Sequence, residues 1–207
     1  MKKNICLLLL FAFGVAFAFA QGEPISRPPA WKFNAQANFY FIPDDFFVLP
    51  VFQADKSKLH LEARYNYEDR ETFSAWIGYN FQGGNKLEYT ITPMLGGVVG
   101  RSDGMAPGLE VTLNFKGFAL YTEGETYLDF ETSENNYIYS WTDLTYSPKD
   151  WLWFGISGQR TRVYQTALDI QRGILIGVGL KNWELTTYLY NLGFDDPFLL
   201  VSVSKQF

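Results

Sequence analysis

From Lys32 to the last residue the chain alternates apolar and polar side chains with a period of two, a pattern that constrains it to antiparallel β-structure. Between 58 and 67, Leu59, Leu61, Ala63, Tyr65 and Tyr67 share one face, and His60, Glu62, Arg64 and Asn66 share the other. Between 72 and 81, Phe73, Ala75, Ile77, Tyr79 and Phe81 oppose Ser74, Trp76, Gly78 and Asn80. Between 118 and 130, Leu120, Thr122, Gly124, Thr126 and Leu128 oppose Tyr121, Glu123, Glu125, Tyr127 and Asp129. Between 173 and 181, Ile174, Ile176, Val178 and Leu180 oppose Leu175 and three glycines. No helical 3.6-residue pattern persists in this region. The predicted strands number about twelve, at 32–42, 46–55, 58–67, 72–82, 86–99, 108–115, 118–130, 136–147, 151–162, 173–181, 183–192 and 197–207. The second is apolar on both faces and contains Pro50, which suits a strand poorly. Without the first two segments in the wall, the alternative count is ten.

Residues ahead of this region read differently. Lys2 and Lys3 precede an apolar run from Ile5 to Ala20 that closes on Ala18-Phe19-Ala20. A charged start, a short apolar core and a small-residue cleavage site predict a secretory signal peptide over residues 1–20. The run is short for a spanning helix. Cleavage after Ala20 would remove Cys6, the one cysteine, so no disulfide or cysteine metal site is expected in the exported chain. Residues 21–31, rich in proline, are predicted to form a flexible arm. With 17 basic against 22 acidic residues, the composition argues against a nucleic-acid partner, which selects a clustered basic surface.

Alternation alone also fits one layer of a soluble β-sandwich. Three features favour a closed barrel in a membrane. The chain ends on Phe207, with Leu199, Val201 and Val203 in its phase and Ser202, Ser204 and Gln206 in the other; Lys205 departs from the apolar pattern. Tight turns such as Lys116-Gly117 and Lys181-Asn182 alternate with longer polar links at 100–107, 131–135 and 161–172. Placing the tight turns at one end gathers Lys32, Lys56, Lys58, Lys86, Lys116, Lys149, Lys181 and Lys205 there. Arg70, Arg101, Arg160, Arg162 and Arg172 then fall at or near the other end, leaving only Arg27 and Arg64 elsewhere. A soluble sandwich has no reason to sort its cations by end.

With the leader, the alternating segments and the terminal Leu199/Val201/Val203/Phe207 pattern, residues 32–207 resemble the Gram-negative outer-membrane β-barrel superfamily. No motif points to one named family within it. The resemblance implies an all-β, antiparallel, up-and-down transmembrane barrel, inserted by the barrel-assembly machinery and resident in the outer membrane. It puts the tight turns in the periplasm. The five rim arginines become candidates for contact with the phosphates of outer-membrane lipids, which guanidinium binds bidentately.

Under this reading the inward phase collects Glu62, Arg64, Glu88, Glu110, Glu123, Glu125, Asp143 and Glu184, with His60, Trp76 and Trp153 beside them. Lipid exposure near the midplane costs about 2–4 kcal/mol for a basic residue and less for an acidic one, so the membrane alone turns such charges inward. These residues are candidates to line a small passive channel for cations or small polar solutes, since rings of carboxylates favour cations. A closed, filled barrel serving envelope structure or adhesion is the alternative. A lipid-modifying hydrolase is the rival from another class, but His60 has Glu62 and Arg64 rather than serine as same-face neighbours, and Ser74 is the nearest candidate nucleophile. No catalytic constellation, cofactor motif or metal-ligand spacing is expected. Asp44-Asp45, Glu68-Asp69 and Asp195-Asp196 are placed in outer loops, and the inward glycines are expected to leave lumen space or to permit curvature.

Overall fold

The structure, a computed structural model, describes residues 30–163 and 169–207, without the side chains of 162 and 163. The predicted signal peptide and nearly all of the predicted arm therefore lie outside the described residues, as does the side chain of Arg162. Thirteen strands form one antiparallel sheet: β1 (Lys32–Ile42), β2 (Asp45–Lys56), β3 (Leu59–Tyr65), β4 (Thr72–Tyr79), β5 (Phe81–Gly83), β6 (Glu88–Gly100), β7 (Gly104–Phe115), β8 (Phe118–Asp129), β9 (Tyr137–Lys149), β10 (Leu152–Val163), β11 (Asp169–Leu180), β12 (Trp183–Tyr190) and β13 (Phe198–Gln206). β4 and β5 are two parts of one stave, since both pair with β6 in the same register, Gly78 opposite Met94 and Phe81 opposite Ile91. β1 then pairs with β13, from Asn34↔Gln206 to Phe41↔Leu199, and closes the sheet into a twelve-stave barrel. Closure leaves no edge strand to template aggregation.

The twelve-strand count holds and the ten-strand alternative falls, because β2 is part of the wall along its whole length. Pro50 sits in it opposite Ala37 with its ring outward and exposed. Two expected links prove to be largely strand. Pro107 lies within β7 opposite Leu95, and only residues 101–103 separate β6 from β7. The ladder to β8 is interrupted between Met105 and Gly108, which spares the proline an amide it lacks. Likewise β10 runs to Val163 and β11 starts at Asp169, so the 161–172 link shrinks to 164–168. At the opposite end the turns are tight, as at Lys116 and Gly117, whose φ angles of 49° and 82° suit a two-residue hairpin of the primed type.

The outer face is apolar and exposed. Ile77, Val99, Ile138, Ile156, Ile174 and Ile176 are each more than half exposed, a surface that only a lipid environment would bury. The rim at the turn end is aromatic, and lysines lean onto it: Lys56 over Trp31, Lys58 over Tyr79, Lys116 over Phe115 and Lys205 over both Trp183 and Phe207. An ammonium on a flexible stem can cover an interfacial ring while keeping its charge in water. The departure at Lys205 is thereby accommodated.

Inside the barrel, glycines serve the aromatic rings. A Cβ on Gly96 would meet the Trp76 ring at 2.5 Å, one on Gly177 the Trp153 ring at 2.1 Å, and one on Gly173 the Tyr190 ring at 2.8 Å. These rings lie flat on neighbouring strands, and glycine is what lets them approach the wall.

Candidate functional site

The alternation of β3 sends His60, Glu62 and Arg64 into the lumen, all buried, with Arg64 only 2% exposed. Arg64 is the hub. Its Nε donates to Glu62 Oε1 at 2.9 Å and its Nη2 to Glu62 Oε2 at 3.2 Å. Its Nη1 reaches across the lumen to Glu125 Oε2 at 3.1 Å, and Tyr137 donates to the other oxygen of Glu125 at 3.1 Å. The guanidinium is also sandwiched between two rings, 4.1 Å from the centroid of Tyr67 and 4.5 Å from that of Trp76. Its planar, weakly hydrated charge suits such stacking where an ammonium would not. His60 continues the network, with Nδ1 2.9 Å from Asp55 and Nε2 3.4 Å from Glu62. Asn80 donates to Asp55 at 2.7 Å and accepts from Thr92 at 2.6 Å.

A second cluster lies across the lumen on β8 to β12. Asp143 accepts from Trp141 Nε1 at 2.6 Å, from Tyr188 at 3.0 Å and from Ser157 at 2.5 Å. Three donors fix this carboxylate in place. Tyr121 donates to Glu123 Oε2 at 2.6 Å and approaches Glu110 at 3.3 Å. The other oxygen of Glu123, Oε1, is buried and has no hydrogen-bond partner among the described residues.

Two chambers occupy the lumen. The outer one, about 1490 Å³, opens at the loop end and includes Tyr40, Phe47, Glu68, Glu125, Tyr137 and Gln159 in its lining. The inner one, about 410 Å³, lies toward the turn end and is lined in part by Glu62, Glu123, Asp143, Glu184, Trp141 and Trp153. Tyr67 lines both. Its ring lies edge-on to Tyr139, with centroids 5.9 Å apart, and faces Arg64. Tyr67 and Tyr139 pack against a buried cluster that includes Tyr190, Leu175 and Leu200, and with the Arg64 ion pairs these side chains form the waist of the lumen.

Of the residues singled out from sequence, His60, Glu62, Arg64, Glu110, Glu123, Glu125 and Trp76 come together around the Arg64 hub, while Asp143 and Trp153 belong to the inner chamber. Glu88 and Glu184 share the inward phase but are exposed at the turn end, and Glu184 accepts from Ser204 at 3.4 Å. Two sequence expectations need correction. Tyr67, placed on the outward face, is inside, because Asn66 takes a φ of 58° and ends the alternation of β3. Glu68 lies in the loop between β3 and β4 as expected, but its charge is not solvated: it is 8% exposed and accepts from Ser74 at 2.6 Å and Trp76 at 3.2 Å. Those donors draw it inward, and its Oε2 is left without a partner among the described residues. His60, Glu62 and Glu110 bring ligand atoms within 4.8 Å of one another. They come from β3 and β7, so linear spacing could not reveal the group. Arg64 holds both oxygens of Glu62, and a guanidinium thus supplies the positive charge there.

Ser74 donates to Glu68, and both nitrogens of His60 face carboxylates, so these two residues do not form a nucleophile–base pair. At the outer rim Arg70 pairs with Asp45 and Arg101 with Asp69, and both line the outer chamber. Arg172 lies 5.7 Å from the ring of Phe194. Arg160 is exposed on the outward face near the loop end of β10.

No family model matches the chain, and no curated protein does. Among solved structures, the chain is similar to the KdgM porin, with 13% identity and a TM-score of 0.62 over 84% of this chain and 99% of that one. A second structure of that porin, in complex with disordered oligogalacturonate, gives 12% identity and a TM-score of 0.65 over the same shares. The Acinetobacter baumannii outer membrane protein Omp33 gives 12% identity and a TM-score of 0.52 over 86% and 98%. At such identities the likeness is one of fold. The closed barrel and its exposed apolar belt make the chain an integral outer-membrane β-barrel, whose fold these porins share.

Proposed function

We propose that this outer-membrane barrel is a small passive channel for cations and small polar solutes. The observation that carries this reading is the pair of chambers, one toward each end, with Tyr67 in the lining of both. A filled structural barrel has no need of two chambers that meet in its middle. Cation preference follows from charge. The inner chamber includes four carboxylates, Glu62, Glu123, Asp143 and Glu184, and no basic side chain in its lining. In a low-dielectric wall such a set raises the local concentration of cations and repels anions. Oligogalacturonate, seen with the KdgM porin, is polyanionic, and a chamber of this sign does not suit it.

We read the lumen as non-catalytic, since the one histidine of the sequence serves the carboxylate network. Planar-bilayer recordings of the purified, folded chain test the proposal. Stepwise currents with a reversal potential shifted toward the cation value are expected under a salt gradient. Tyr67→Ala removes the ring shared by both chambers and should raise unit conductance severalfold. Absence of current above the lipid background in both proteins would overturn the channel reading.

A further inference from the structure

One stretch of the outer wall departs from the apolar belt. On β4 and β6 the outward positions include Phe73, Ile77, Leu95 and Val99, all exposed. On β8 to β10 the outward face instead holds Thr122 and Gly124, Ser140 and Thr142, then Gly158 and Arg160. Register sets them side by side in two rows, Thr122–Thr142–Gly158 and Gly124–Ser140–Arg160. The first row continues to Arg172 on β11, diagonal to Arg160. Diagonal neighbours on paired strands stand about 7–8 Å apart, so one headgroup can touch both. Neither glycine serves the barrel's own packing. A Cβ on Gly124 or Gly158 would meet nothing nearer than 3.6 or 3.9 Å, unlike one on Gly177 or Gly173. The two leave a shallow notch where a partner can approach the backbone closely. Arginine that faces lipid is costly unless it lies near an interface. Arg70 and Arg101 pair with Asp45 and Asp69, but Arg160 and Arg172 have no carboxylate partner among the described residues. Arg172 stands at the rim, 5.7 Å from the ring of Phe194. Toward the turn end the same face is apolar again at Leu144, Ile156 and Ile174, all exposed.

We infer that this notch on β8 to β11 is a binding site for a phosphorylated glycolipid of the leaflet at the loop end. Arg160 and Arg172 hold its phosphate, which guanidinium binds bidentately. Ser140 and Thr142 offer hydroxyls to its sugar and linkage groups, and an acyl chain runs down over Leu144, Ile156 and Ile174. Charge selects this occupant. A second copy of the chain would meet the notch with an outward strand face that carries no carboxylate among the described residues, and would leave both guanidiniums unanswered.

Native mass spectrometry of the full folded chain, released from a nonionic detergent, tests the site without requiring current. Diphosphorylated lipid A should give a saturable adduct. Lipid A stripped of its phosphates should be retained at least tenfold less, and excess inorganic phosphate should not displace the intact lipid. Arg160→Gln combined with Arg172→Gln should reduce the adduct at least tenfold. Gly158→Leu, which fills the notch and keeps both guanidiniums, should reduce it severalfold and provides a second arm should the double variant fold poorly. Arg101→Gln, at a site already paired with Asp69, should leave retention unchanged and so separates a built site from general attraction to positive charge. Equal retention of the dephosphorylated lipid, displacement by inorganic phosphate, or an equal loss in Arg101→Gln would each overturn the inference. So would an undiminished adduct in both the double variant and Gly158→Leu. A lipid-free dimer that Gly158→Leu abolishes would assign the face to a second copy and overturn it as well.

Discussion

Arg64 makes hydrogen bonds to two carboxylates and stacks between two rings while only 2% exposed. Removing one partner of a buried ion pair leaves the others uncompensated, at a cost of about 3–5 kcal/mol. Arg64→Met is therefore expected to destabilise the barrel by that amount, read as a lowered urea midpoint in lipid vesicles by tryptophan fluorescence. Arg64→Lys keeps the charge but loses the planar fork that spans Glu62 and Glu125, and should fall between the two. A midpoint for Arg64→Met equal to that of the unmodified chain would show that the network adds little to folding. At this scale the sequence was half legible. Period-two phase turned Arg64 and its carboxylates inward, but nothing in it distinguished Glu62, satisfied by a guanidinium two residues on, from Glu123, whose buried Oε1 has no partner among the described residues. That distinction depends on which side chains meet across the lumen.

At the scale of the strand, the glycines of β11 explain themselves through their neighbours. Gly177 stands under Trp153 and Gly173 under Tyr190, so a side chain at either place collides with a ring. Gly177→Val is expected to lift the Trp153 ring from the wall. Overpacking of this kind typically costs about 1–3 kcal/mol. It should also narrow the inner chamber, giving a lower unit conductance together with a shifted tryptophan emission. Unchanged emission and conductance would mean that the indole does not rest on this glycine. The sequence marked these positions as inward glycines, and curvature and space were the reasons available from it. The packing partner lies on an adjacent strand and is a matter of register, Trp153 opposite Gly177. Register likewise absorbed Pro107 into β7, where the ladder lapses beside it.

For the whole molecule, the sorting of cations gives a topology that can be measured. The eight lysines from Lys32 onward lie at or beside the turn end, where four of them cover aromatic rings of the rim. Single cysteines replacing Lys116 and Arg160 should be reached by an impermeant thiol reagent from opposite sides. In intact cells the reagent should label position 160, and position 116 only after the outer membrane is opened. Labelling of both in intact cells, or the reverse order, would refute the orientation. Arg160, outward and exposed near the loop end, is also where the proposed contact with lipid phosphate is best placed. Arg70 and Arg101 instead meet Asp45 and Asp69 at the mouth of the outer chamber.

While the pairing of β2 decided twelve strands over ten, the sequence by itself determined the all-β wall, the inward phase of the charges and the ends to which lysine and arginine belong. Each follows from local periodicity and from the cost of exposing charge to lipid, quantities that a linear chain carries. Only the tertiary structure decided what the lumen contains. Tyr67 and Glu68 enter it because one left-handed residue, Asn66, ends the alternation of β3, and because Arg64, Ser74 and Trp76 offer them partners. The waist, the two chambers and the unanswered oxygen of Glu123 are made by side chains from strands that are distant in sequence and face one another across the barrel. Closure and register fix those meetings, and no spacing along the chain encodes them.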